Sequence, residues 1–119
     1  MPMTRTTRRL LLPAAIALAA GAVMSVPAAA QDDAKRGQDV YTDQKCQLCH
    51  LIAKKGNKAN PLDGVGKKLS ADEIRQWITN PIEMAAKIKS TKKPPMQNKY
   101  GDLPAADLTA LVAYMQSLK

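Results

Sequence analysis

Both cysteines of this 119-residue chain and its single histidine fall within five consecutive positions, Cys46-Gln47-Leu48-Cys49-His50. Two thiols and an imidazole at that spacing are open to several chemistries. In an oxidising compartment the pair could close a disulfide or serve as a redox dithiol. A thioredoxin-like dithiol belongs to a βαβ context, and no strand pattern surrounds it here. Structural zinc takes about four nitrogen or sulfur ligands, and the chain has no further Cys or His to supply them. The reading that uses all three side chains is C-x-x-C-H as a c-type haem attachment site. Two intervening residues on a helical turn let the thiols add across the two vinyl groups of one haem. The next residue, His50, then meets the iron from the same side as an axial ligand.

Covalent attachment of this kind takes place outside the bacterial cytoplasmic membrane, and the chain start agrees with export. Arg5, Arg8 and Arg9 form a positive region, Leu10 to Met24 an apolar run, and Ala28-Ala29-Ala30 a small-residue cleavage site before Gln31. That is the anatomy of a secretory signal peptide. A membrane anchor wants about 20 apolar residues, whereas this run is shorter and broken by Pro13 and Gly21. The expectation is a signal peptide over 1–30, a mature domain over 31–119, a periplasmic location and no stable membrane insertion after cleavage. An uncleaved anchor and twin-arginine export (from Arg8-Arg9) are the alternatives.

The 89 residues from 31 to 119 make one small domain. The chain has no Phe, one Trp and three Tyr, a thin stock for a core in a domain of this size. A bound cofactor would supply the missing apolar bulk. The same 89 residues hold fifteen basic and ten acidic side chains. The lysines pair in apparent loops, at Lys54-Lys55, Lys67-Lys68 and Lys92-Lys93. Such pairs give a solvated surface, or a basic docking face for an acidic partner. Nucleic acid is disfavoured, because no aromatic residues interleave with the basic ones to stack bases.

The elements that must position the motif are helical. One helix is expected from about Asp33 to about His50. A second opens at Ser70, where S-x-x-E to Glu73 is a capping box. It carries Ile74, Trp77 and Ile78 on one face and ends at Asn80-Pro81. Residues 81–90 can add a further helical turn or two. A third begins near Pro104, a residue that suits a first turn, and carries an apolar stripe of Leu108, Leu111, Val112, Met115 and Leu118. The stretches 54–68 and 89–102 are rich in Lys, Gly, Pro and Asn and read as loops. Long loops in a small domain are usually functional, and wrapping a cofactor accounts for both.

Taken in order, these segments make the mature chain resemble a class I cytochrome c, the small soluble monohaem family with His/Met-ligated iron, from about Ala34 to Lys119. "GQDVY" resembles the family's first helix, with Gly37 and Tyr41 packing on the last. "NPLDGVG" resembles the loop whose proline carbonyl, here Pro61, accepts a hydrogen bond from the haem-ligating histidine. "IRQWITNP" resembles the middle helix, whose tryptophan, here Trp77, approaches a haem propionate. "KKPPM" resembles the axial-methionine loop, and "LTALVAYMQSL" the last helix, with Leu111 and Tyr114 at packing positions. The chain departs from the family pattern in having Asn60 before Pro61 and in placing Met96 after its proline pair. The resemblance implies an all-α cytochrome c fold of three main helices, with long loops wrapped around one covalently attached haem c.

The sixth ligand cannot be a second histidine. Among the later methionines, Met115 lies on the apolar stripe and Met84 in a helical turn. Met96 lies in a loop where packing does not call for methionine, behind Pro94 and Pro95, which stiffen the chain. Met96 is therefore the expected ligand, with Met84, a vacant site or a lysine-ligated iron as alternatives. Two filled axial positions point away from an enzyme and toward one-electron, outer-sphere transfer between redox proteins with acidic docking surfaces, by a monomer. A dedicated electron-accepting subunit of an exported dehydrogenase or oxidoreductase complex shares the chemistry. A five-coordinate gas-binding or weakly peroxidatic haem protein needs an open iron. The bundle-type haem proteins of that kind carry the motif near the C-terminus.

Overall fold

In the computed structural model, residues 21–119 are described; the charged start of the expected signal peptide and most of its apolar run lie outside them. Among the described residues there are five α-helices and one short hairpin: α1 (Ala28–Asp43), β1 (Leu51–Ile52), β2 (Lys55–Gly56), α2 (Val65–Lys68), α3 (Ala71–Thr79), α4 (Pro81–Lys87) and α5 (Ala105–Ser117). The architecture is all-α, as the sequence implied. Two differences concern the first helix. It begins at Ala28, with residues 21–33 exposed throughout, and it stops at Asp43 instead of running on to His50. Lys45 takes a left-handed conformation (φ 57°), which an L-residue does not continue into a helix. The motif therefore folds as its own tight turn, a 3₁₀ helix over Cys46–Leu48, rather than as the end of α1.

α1 and α5 pack together at their closest on a residue without a side chain. A Cβ at Gly37 would lie 2.0 Å from the carbonyl oxygen of Ala110 and 2.7 Å from Tyr114 Cβ. Beside this contact the Tyr41 and Tyr114 rings meet edge to face, with centroids 5.8 Å apart, a favoured arrangement of ring quadrupoles. The Arg36 guanidinium donates to Asp107 Oδ1 at 2.7 Å across the same pair of helices. Val40, Tyr41, Ile74, Ile78, Leu108, Leu111, Val112 and Met115 form one core where α1, α3 and α5 meet.

The capping box at α3 is present in both directions. Ser70 Oγ accepts from Glu73 N–H at 3.2 Å, and Glu73 Oε2 accepts from Ser70 N–H at 2.7 Å. Asn80 ends α3 and Pro81 opens α4, so the expected break there is a corner between two short helices. Pro104 caps α5 from outside the helix rather than sitting in its first turn; its carbonyl accepts Leu108 N–H at 3.0 Å.

The two stretches read as loops contain more structure than their composition suggests. In the first, β1 and β2 pair antiparallel, Leu51 opposite Gly56 and Ile52 opposite Lys55. The two linking residues, Ala53 (φ 49°) and Lys54 (φ 66°), are both left-handed, as the tightest hairpin turns require. The strain of placing non-glycine residues there is offset locally, since Asp63 Oδ1 accepts Ala53 N–H at 2.8 Å. Further along the same stretch, α2 holds Lys67 and Lys68 in a helical turn, not a loop. It docks on the end of α5 through Gly66, whose N–H reaches Leu118 O at 2.8 Å and whose absent Cβ leaves room for Gln116 O.

Candidate functional site

The tight turn after α1 aims the motif inward at one side and outward at the other. His50 N–H returns to Cys46 O at 2.9 Å, closing the turn. Cys46 is half-buried and Cys49 exposed, and the two sulfurs are not bonded to each other. Gly56, at φ 108°, backs onto the motif, where an added Cβ would lie 2.1 Å from His50 O. The side chain of Tyr41 donates to the same carbonyl at 3.4 Å. Burial raises the Tyr41 hydroxyl pKa to about 12.

These elements wall an apolar cavity. Tyr41, Cys46 and His50 line it from α1 and the motif. Leu62, Val65 and Leu69 line it from the following segment, Ile74, Trp77 and Ile78 from α3, Met96 and Tyr100 from the long connection, and Leu111 and Met115 from α5. The cavity has a volume of about 220 Å³. Among the described residues its lining has no carboxylate, ammonium or guanidinium group.

Four of the six residues singled out in the sequence are thus brought together: Cys46, His50, Trp77 and Met96. Cys49 shares the turn but faces out. Pro61 is exposed, and its expected role passes to its neighbour. His50 Nδ1 lies 3.2 Å from the carbonyl oxygen of Asn60, not of Pro61. The reason is the backbone bridge of residues 60–62 against Leu51. Leu51 N–H donates to Asn60 O at 3.1 Å and Leu62 N–H to Leu51 O at 2.8 Å, which brings the Asn60 carbonyl beside the imidazole. Asn60 Nδ2 in turn donates to Cys49 O at 3.3 Å. A proton on Nδ1 leaves the Nε2 lone pair free. Burial lowers the pKa of His50, opposed by the Asn60 hydrogen bond, and so favours the neutral ring a metal needs. Burial also pushes the Cys46 thiol up to about 11, so this sulfur sits in an environment suited to a neutral species.

Met96 is placed by contrast with its surroundings. From Ala86 to Lys99 every residue is exposed except Met96, which is half-buried against the cavity. Met84 faces a separate polar depression with Gln76, Asn80, Glu83 and Lys87. Met115 is buried in the core and also lines the cavity. The residues that sequence reasoning did not single out are Asn60, Leu62, Val65, Leu69 and Tyr100. Their signal is weak, because they lie in segments whose composition says only that they turn.

An apolar chamber with one imidazole, one thiol and the thioethers of Met96 and Met115 in its wall fits a haem tethered through sulfur. No cluster of three or more His, Cys, Asp and Glu stands together among the described residues, which is the pattern a hard or structural metal would want. Fold and site together define a c-type cytochrome. The family model for cytochrome c matches residues 34–119, and the chain belongs to that family. It is an electron-transfer haem protein whose family carries covalently attached haem c. No curated protein matches the chain, and no solved structure does.

Proposed function

We propose that the protein is a class I, His/Met-ligated monohaem cytochrome that shuttles single electrons between periplasmic redox proteins. The observation that carries this reading is that His50 and Met96 line one apolar cavity beside Cys46. In it, Cys46 and Cys49 would hold a haem c as thioethers, and His50 and Met96 would ligate its iron. Haem c supplies a one-electron iron couple, and a thioether on the iron raises its potential by favouring the ferrous state.

The chain's own residues account for the rest. Asn60 O fixes the imidazole and its tautomer through Nδ1. Such outer contacts orient a ligand and tune its basicity. Ile74, Ile78, Leu111 and Met115 exclude water from the chamber, which keeps reorganisation small when charge changes. Trp77 supports the pocket wall. With His50 and Met96 both ligating, the iron would have no site left for substrate or gas. Exposed lysines at 54–55, 67–68 and 92–93 steer an acidic partner by a force that salt weakens. Export by a signal peptide over 1–30 and a monomeric state complete the proposal. No helix among the described residues is long and apolar enough to cross a membrane.

A redox titration of the purified holoprotein with its optical spectrum tests the core of this reading. A low-spin ferric spectrum with a methionine–iron charge-transfer band is expected, and Met96→Ala removes that band. Retention of the band in Met96→Ala would refute the ligand assignment. Rates to an acidic partner fall steeply with ionic strength if the lysines steer. A flat dependence refutes that part alone, and co-purification with a dehydrogenase would make the protein a fixed subunit instead.

A further inference from the structure

The segment that carries Met96 is poorly tied to the rest of the fold. Ser90 N–H still bonds back to Ala85 O at 2.9 Å, closing the end of α4. From Thr91 to Lys99, among the described residues, no backbone group is paired with the backbone of another element. Only Met96 reaches inward. One bond crosses from this stretch to a distant part of the chain: Lys92 Nζ donates to Ala59 O at 3.1 Å, across 33 positions of sequence. The Lys92 backbone is itself held in place, since Lys92 N–H meets Ser90 Oγ at 3.4 Å.

The acceptor is not an arbitrary carbonyl. Ala59 adjoins Asn60, whose own carbonyl receives both His50 Nδ1 and Leu51 N–H. Ala59 is fixed from its other side, its N–H donating to Asn57 Oδ1 at 2.9 Å, and Asn57 Nδ2 donates to Leu48 O inside the motif at 3.2 Å. The lysine therefore joins the loop bearing Met96 to the loop that orients His50.

We propose that Lys92 is a positioning residue, a strap that holds the Met96 loop closed against the segment carrying the histidine's hydrogen-bond acceptor. Its ammonium is then committed to closing the site and not only to partner docking, which separates it from its neighbour Lys93. The strap acts from outside the cavity and Met96 from inside, so the loop is held at two points and opens more readily when either is lost. This rests on Met96 being the sixth ligand.

The test uses the ferric holoprotein and the rate at which added imidazole displaces the methionine, followed as loss of the methionine–iron band. Loop opening limits that exchange. Lys92→Met keeps the aliphatic stem and removes the donor. It is expected to speed displacement roughly fivefold, the effect of losing one solvent-exposed hydrogen bond of ordinary strength, with the far-UV thermal midpoint unchanged. Lys92→Arg, which still donates, is expected to stay near the parent rate, and Lys93→Met is expected to change nothing. A Lys92→Met rate within about twofold of the parent, the range of an ordinary surface change, overturns the proposal. So does a thermal midpoint that falls in step with the rate, or an equal effect of Lys93→Met. Met96→Ala separates the two readings. If it keeps the band, the ligand assignment fails. If it loses the band while Lys92→Met exchanges at the parent rate, the strap fails and the ligand stands.

Discussion

Replacing Gly37 by alanine tests whether the α1–α5 contact organises the domain, because two effects of opposite sign compete there. On an exposed helix, Gly→Ala stabilises by about 1 kcal/mol through backbone entropy. At Gly37 the new Cβ would stand 2.0 Å from Ala110 O and 2.6 Å from Ala110 C, both backbone atoms that cannot rotate away. Relieving that overlap to an ordinary contact requires the helices to part by roughly 1 Å, the scale of overpacking that costs about 1–3 kcal/mol in a close-packed core. The tight approach wins, for a net loss of about 1 kcal/mol after the propensity gain. In a domain of this size that lowers the thermal midpoint by roughly 6 °C. Thermal unfolding of the holoprotein by far-UV circular dichroism reads the shift. Tyr41 and Leu111 belong to both this interface and the cavity wall, so the haem absorption should change as well. A Gly37→Ala protein as stable as the parent, or more so, would refute the reasoning, because it would make Gly37 an ordinary surface helix glycine.

Gly56→Ala has two reasons to fail, a positive φ and a Cβ 2.1 Å from His50 O. It should lower the yield of haem-loaded protein well below that of Gly64→Ala, which is also left-handed but meets open space; equal yields would contradict this. Ser70→Ala should cost about 1 kcal/mol by removing the α3 cap, measured by urea unfolding. Hydrogen bonds from the Ser70 backbone and side chain hold the Glu73 carboxyl below its ordinary value. That contribution is present above the ordinary glutamate range and is lost as pH falls through the lowered folded-state value. Glu73→Gln should therefore flatten the acid limb of stability against pH, and an unchanged limb would count against the cap. Arg36→Ala should cost no more than about 1 kcal/mol and less in high salt, because the Arg36 side chain is exposed and Asp107 only partly buried.

Much of the site was legible in the chain because its signals are local. The C-x-x-C-H spacing points to a haem tether and one ligand without reference to anything distant. The capping box and the apolar stripes of α3 and α5 are set by spacing of 3–4 residues, and they appear where the sequence put them. What misled was what depends on partners far along the chain. Lys45 ends α1 early in a left-handed turn, and nothing in "TDQKCQ" announces it. The hairpin at 51–56 has no glycine at its two turn positions, and Asp63, ten residues on, supports the strained backbone.

The sequence by itself determined the chemistry available: two thiols, one imidazole and a methionine in a proline-stiffened loop, in a chain too poor in aromatics to fill its own core. Only the tertiary structure decided which of these meet. It put His50 and Met96 into one chamber, although they lie on separate connections, and left Cys49 facing outward. It moved the histidine's acceptor from Pro61 to Asn60, because the bridge between Leu51 and residues 60–62 fixes which carbonyl arrives beside the ring. Side-chain identity is a property of one position, whereas register between two loops is set by the hydrogen bonds and packing that join them.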